Sequence, residues 1–115
     1  MKPGVVENLY VLLPTGLFNA ETGSDVRARI ISLLLESPRD ILIDCRDVEF
    51  MDSNGLGSLV SALKRVRQAG KQLYLCSLNS QLRMVLELTC TDRVFTIFPS
   101  EHACMAFISN SQSDG

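Results

Sequence analysis

Histidine occurs once, at His102, and no cysteine pair takes the C-x-x-C form. A lone imidazole cannot supply a multi-histidine metal site. His102 lies near a candidate helix start, where a surface or cap role is expected. The four cysteines, Cys45, Cys76, Cys90 and Cys104, are spaced 31, 14 and 14 residues apart, which suits neither a zinc knuckle nor a dithiol redox motif. Cys45 and Cys76 each close an apolar run, so the thiols are expected to be buried and reduced. Long apolar stretches are missing as well. Ile30-Ile31 and Leu33-Leu34-Leu35 are far too short to span a bilayer. Met1-Lys2-Pro3-Gly4 opens no secretory segment, because Glu7 and Asn8 interrupt it at once. Eleven basic residues against thirteen acidic ones leave a net charge of −2. Nothing there favours a nucleic-acid surface or a polybasic membrane patch. The expectation is a soluble cytoplasmic protein that inserts into no membrane and binds no nucleic acid.

The 115 residues suffice for one domain, and at this size a chain buries roughly two-thirds of its unfolded surface. With 46% hydrophobic and 21% charged residues, the chain as a whole is too apolar to be disordered. Its pattern alternates between strand and helix. Leu9 to Leu13 is a β-rich run, Pro14-Thr15-Gly16 breaks it, and Leu17-Phe18 resumes, suggesting two short strands around a tight turn. Thr22-Gly23-Ser24-Asp25 offers caps for a helix carrying Val26, Ile30, Leu33 and Leu34, which Pro38 stops. Ile41-Leu42-Ile43 reads as a strand buried on both faces. Leu56, Leu59, Val60, Leu63 and Val66 form the stripe of a second helix, with Gly70 as its left-handed terminator. Leu73 to Cys76 is another buried strand. Asn79 and Ser80 can cap a third helix carrying Leu82, Val85 and Leu86. Val94 to Phe98 is the last strand, and Pro99-Ser100-Glu101 opens a fourth helix that turns Ala103, Cys104, Phe107 and Ile108 inward. Strands separated by helices call for parallel pairing through crossovers. The expected class is α/β, with a mixed, mainly parallel sheet of four to five strands and about four helices. One domain over residues 1–108 is followed by a polar, flexible tail, 109–115.

Packing explains most of these residues. The exception is Asp52-Ser53-Asn54-Gly55-Leu56-Gly57, beyond the carboxyl end of the Ile41 strand, where open α/β sheets engage ligands and partners. On spacing, Asp52 and Ser53 are helix caps, each able to satisfy an orphan amide at Gly55 or Leu56. Gly55 and Gly57 point further. Each costs a helix about 1 kcal/mol relative to alanine, which suggests close approach by something. A helix amino terminus also tolerates a phosphate, and a phosphoserine at Ser53 would add nearly two negative charges beside Asp52. Enzyme readings lack support. The segment is neither a P-loop nor a dinucleotide fingerprint. Ser53 and Ser58 lack the G-x-S-x-G frame, and His102 is the only imidazole. No cofactor is implied.

Ile41-Leu42-Ile43-Asp44-Cys45 followed by Val48-Glu49-Phe50-Met51-Asp52-Ser53-Asn54-Gly55-Leu56-Gly57 resembles the signature of the STAS domain. More narrowly, it is similar to the bacterial anti-sigma factor antagonist family. The resemblance extends through Pro14 to Ala20, Gly70 to Leu75, Ser80 to Leu88 and Val94 to Phe98, covering about residues 5 to 108. It implies a phosphoswitch. A partner that is both anti-sigma factor and serine kinase would bind the chain with Ser53 unphosphorylated, phosphorylate Ser53, and let go. A PP2C-type phosphatase would reset it. Asp52 would orient the serine or contact the partner. The helix from Asn54 through Gly55, Leu56 and Gly57, with the turn at Asn19, would form the docking face. Asn19 stands where family members often carry Asp, and Asn54 where a small residue such as Ser is common. No transporter or sensor domain accompanies the unit, which favours a stand-alone regulator. The other implied reading is a non-switching interaction module, such as a soluble subunit of a lipid-transport complex or a stress-signalling scaffold.

Overall fold

Three neighbouring apolar strands, buried on both faces, organise the molecule. The computed structural model describes residues 4–6 and 8–113, with the side chains of 8–110. Its strands are β1 (Gly4–Val6), β2 (Leu9–Leu12), β3 (Gly16–Phe18), β4 (Asp40–Asp44), β5 (Val48–Met51), β6 (Leu73–Cys76) and β7 (Thr96–Phe98). The helices are α1 (Ala20–Glu36), α2 (Ser53–Gln68), α3 (Ser80–Leu88) and α4 (Glu101–Ser113). The main sheet runs β1-β2-β4-β6-β7. β1 is antiparallel to β2, and the other neighbours are parallel. Tyr10, Leu12, Ile41, Ile43, Leu73 and Leu75 face one side, against α1, α2 and α3. Leu9, Val11, Leu42, Tyr74 and Cys76 face the other, covered by Cys104 and Ile108 of α4. Strands with both faces covered read as near-continuous apolar runs, and β2, β4 and β6 do so apart from Asp40 and Asp44 at the two ends of β4.

The second helix forms as its stripe requires. Leu56, Leu59, Leu63 and Val66 are buried, joined by Gly55 and Ala62. Gly70 has φ +74°, and its N–H and that of Lys71 return to the carbonyls of Arg67 and Val66 at 2.9 and 3.1 Å. This 5→2 and 6→1 pairing closes the helix, and a positive φ suits glycine there. Asn79 caps α3 as expected, its Oδ1 accepting from Leu82 N at 2.9 Å.

Several expectations need correction. The strands around Pro14 do not pair with each other. β2 makes its hairpin with β1, while β3 leaves the main sheet and pairs in parallel with β5, an element that the sequence pattern did not announce. The first helix begins earlier than Thr22. Asn19, in extended conformation, caps it by accepting from Thr22 N at 3.1 Å, and the Thr22 hydroxyl donates to Leu17 O instead. The last strand is shorter than Val94 to Phe98, because Thr91–Arg93 forms a 3-10 turn. Cys45, Cys76 and Cys104 are buried free thiols, but Cys90 is exposed at φ +59° after α3. Phe107 is 47% exposed rather than inward, although its ring meets Tyr74 and Phe98. Helix α4 continues through Ser113, past the expected boundary at 108, since neither proline nor glycine interrupts 109–113. The segment Met1 to Pro3, Glu7, and the tail residues Asp114 and Gly115 lie outside the described residues.

Candidate functional site

The small β3–β5 sheet positions the motif. Phe18 pairs with Met51, and the N–H of Asp52 donates to Phe18 O at 3.3 Å. Asn19, the α1 cap, is therefore brought beside the Asp52 turn although 33 residues separate Asn19 and Asp52 in sequence. Asp52 is the sole side-chain cap of α2. Its Oδ1 accepts from Gly55 N at 2.8 Å, and its carbonyl accepts from Leu56 N at 3.0 Å. Ser53 is thus the first helical residue and not a cap. It is exposed, and its hydroxyl has no hydrogen-bond partner among the described residues. One side chain closes the helix end, and the adjacent hydroxyl stays free at the positive end of a sixteen-residue helix.

The two glycines separate into different roles. A Cβ on Gly55 would collide with the backbone carbonyl and the ring of Phe18, so only glycine lets β3 cross there. Gly23 plays a related part from α1: a Cβ there would sit 2.6 Å from Ser58 Cβ. Gly57 is exposed, and a Cβ would meet nothing within 4 Å. No packing within the described residues requires glycine at 57. Two residues expected on the docking face turn inward: Gly55 is buried under β3, and Leu56 is 5% exposed in the core. Asp52, Ser53, Asn54, Gly57 and the half-buried Asn19 retain surface. Beside them the register pair Leu17 and Phe50 is 56% and 48% exposed, which sequence reasoning missed. A phosphate on Ser53 would add charge directly beside the Asp52 carboxylate.

The carboxyl ends of β4 and β6 carry no reactive thiol. Burial, helped by the neighbouring Cys76 and Asp44, pushes the Cys45 thiol up to about 12. Burial likewise pushes Cys76 up to about 12. Both stay protonated at neutral pH, and a protonated thiol is a poor nucleophile. Asp44, 1% exposed, accepts from Arg46 N at 3.1 Å and pairs with its guanidinium at 3.7 Å. His102 is exposed near the start of α4, where Ser100 Oγ accepts from Ala103 N at 3.1 Å. Among the described residues, no group of three or more His, Cys, Asp or Glu is arranged to hold a metal ion, and no helix is long and apolar enough to cross a membrane.

The STAS domain family model matches residues 3–104. The anti-sigma-B factor antagonist of Staphylococcus aureus is 26% identical over 83 residues, covering 72% of this chain and 77% of that one. The crystal structure of a candidate anti-sigma factor antagonist of Thermotoga maritima superposes with a TM-score of 0.85 at 26% identity, over 94% of this chain and 93% of that one. The anti-sigma factor antagonist SpoIIAA, solved in its unphosphorylated form, has a TM-score of 0.71 at 15% identity, over 96% of each chain, and shares the fold.

Proposed function

The chain belongs to the STAS domain family, and from that premise we propose that it is an anti-sigma factor antagonist gated by phosphorylation of Ser53. One observation carries the reading. Among the described residues Asp52 alone caps α2, which leaves the Ser53 hydroxyl exposed and without a hydrogen-bond partner at the helix amino terminus. The hydroxyl can therefore be modified without unmaking the cap. In the transfer, Ser53 Oγ bonds to the γ-phosphorus of ATP held by the partner, the bond to ADP breaks, and the hydroxyl proton passes to a base of the partner. The phosphate then lies where the helix dipole favours negative charge, so the fold tolerates it. The docking surface does not. Nearly two added charges beside Asp52 repel an acidic contact and impose a desolvation cost on a close-fitting one. The partner is an anti-sigma factor with serine kinase activity, and a PP2C-type phosphatase returns Ser53 to its free state. Asp52, Asn54, Gly57 and Asn19, with the apolar pair Leu17 and Phe50, form the contact face.

The test uses Ser53→Ala and Ser53→Asp proteins as immobilised baits in an extract of the cells that encode the chain. An ATP-binding kinase retained by the alanine protein and lost from the aspartate protein is the expected result. Equal retention of the same proteins by both would sink the switch and leave a constitutive interaction module.

A further inference from the structure

β5 has a strand on only one side. On its β3 side, Phe50 pairs with Leu17 and the following Asp52 N–H reaches Phe18 O. On the other side no strand is present among the described residues, and unpaired strand edges bind water or foreign strands. Two side chains from the start of α3 occupy that edge. Asn79 Nδ2 donates to Val48 O at 3.1 Å and to Glu49 O at 3.2 Å. Gln81 does more. Its Oε1 accepts from Met51 N at 2.9 Å, and its Nε2 donates to Met51 O at 2.9 Å. A side-chain amide carries one acceptor and two donors on a single planar group, so it can pair with both backbone groups of one residue as a neighbouring strand would.

Met51 stands two residues before Ser53. The switch turn therefore hangs between two supports: Phe18 O on one flank, through Asp52 N, and the Gln81 amide on the other. The Ser53 hydroxyl itself has no hydrogen-bond partner among the described residues, so its location is set by the backbone on which it rides. Phosphoryl transfer depends strongly on placement of the attacking oxygen, and small misplacements cost rate out of proportion to their size. We propose that Gln81 is a positioning residue for phosphorylation of Ser53, clamping Met51 so that the hydroxyl is presented to the kinase in one place. The inference rests on the phosphoswitch reading above. It assigns to α3, which supplies none of the residues placed on the contact face, control over how well the turn serves as a substrate.

Gln81→Met tests it, since an unbranched hydrocarbon of similar length keeps the volume and loses both hydrogen bonds. Initial rates of Ser53 phosphorylation are measured over a range of protein concentrations in an ATP-supplied extract of the encoding cells, with phosphopeptide mass spectrometry as the readout. The maximal rate is expected to fall about tenfold while KM stays within about threefold, as misplacement without loss of docking requires. Hydrogen exchange of the same protein should show the Met51 amide losing protection while the β4 amides keep theirs. Gln81→Glu, which accepts from Met51 N but cannot donate to its carbonyl, should retain Met51 protection and lose less rate, and it keeps the test alive if the methionine variant folds poorly. An unchanged maximal rate, a rise in KM alone, or undiminished Met51 protection in Gln81→Met would overturn the clamp. A wild-type protein that takes no phosphate at Ser53 would overturn both the clamp and the switch, which separates the two failures.

Discussion

Replacing Gly57 with alanine should stabilise the protein and weaken its partner complex. Gly57 is the fifth residue of α2, exposed, with no neighbour within 4 Å of an added Cβ. Its backbone is not in the left-handed region, so alanine fits without strain. Glycine in a helix interior costs roughly 0.5–1 kcal/mol relative to alanine. With an unfolding entropy of about 2.1 cal/mol/K per residue, a chain of 115 residues should gain about 2–4 °C in Tm. Binding should move the other way. A methyl group forced into a close contact costs about 1–3 kcal/mol, or roughly 5- to 150-fold in Kd. Calorimetric melting gives the first quantity. Titration with the kinase recovered on the Ser53→Ala bait gives the second. A Gly57→Ala protein that melts higher and still binds as tightly as wild type would refute the placement of Gly57 on the contact face. Gly55→Ala is the matched control, with the opposite sign: its Cβ would strike the Phe18 backbone, which cannot yield cheaply, so stability falls by about 1–3 kcal/mol or more.

Ser53→Ala should lose all phosphorylation yet cost little stability, because the hydroxyl has no partner among the described residues; a melt lowered by more than about 2 °C, roughly 0.5 kcal/mol, would restore Ser53 as a cap. Asp52→Ala should cost about 1 kcal/mol in urea unfolding, since the Gly55 amide then loses its acceptor. Leu63→Ala should destabilise by roughly 2–5 kcal/mol, and a loss below about 1 kcal/mol would place the wrong face of α2 in the core. Stability should also decline in alkali. Cys45 and Cys76 ionise near 9 when unfolded and at about 12 when folded. Their protonated burial is thus fully favourable below pH 9 and is lost as pH rises from there toward 12, because the unfolded chain releases those protons first. Unfolding midpoints at pH 8 and pH 10 check the sign, and Cys45→Ala, Cys76→Ser or the double variant should flatten the slope.

Much of the fold was legible because it is local. The Leu56 to Val66 stripe, the Gly70 terminator, the Asn79 cap and the apolar strands Ile41 to Ile43 and Leu73 to Cys76 each announce themselves through spacing within one turn or one pleat. The location of the candidate site was legible too, since Asp52 to Gly57 is one unbroken motif. Its internal division of labour was not. Asp52 and Ser53 have equal claims to a cap on sequence, and only the extended Asp52 backbone, with Oδ1 2.8 Å from Gly55 N, leaves the serine hydroxyl free. Gly55 and Gly57 carry the same helix cost, and only the passage of β3 over Gly55 tells them apart.

The sequence by itself determined the periodicities: which segments are helix, which strands are buried on both faces, and where the candidate Asp52 to Gly57 turn lies. Tertiary structure decided everything that needs a partner distant in the chain. It took β3 away from β2 and gave it to β5, set Asn19 beside Asp52, and turned Leu17 and Phe50 outward as a pair. It also sent Gln81, 30 residues on, back to hold Met51. Hydrophobic spacing and capping preferences act over three or four residues, whereas an edge hydrogen bond is chosen only when the folded backbone brings its groups within about 3 Å.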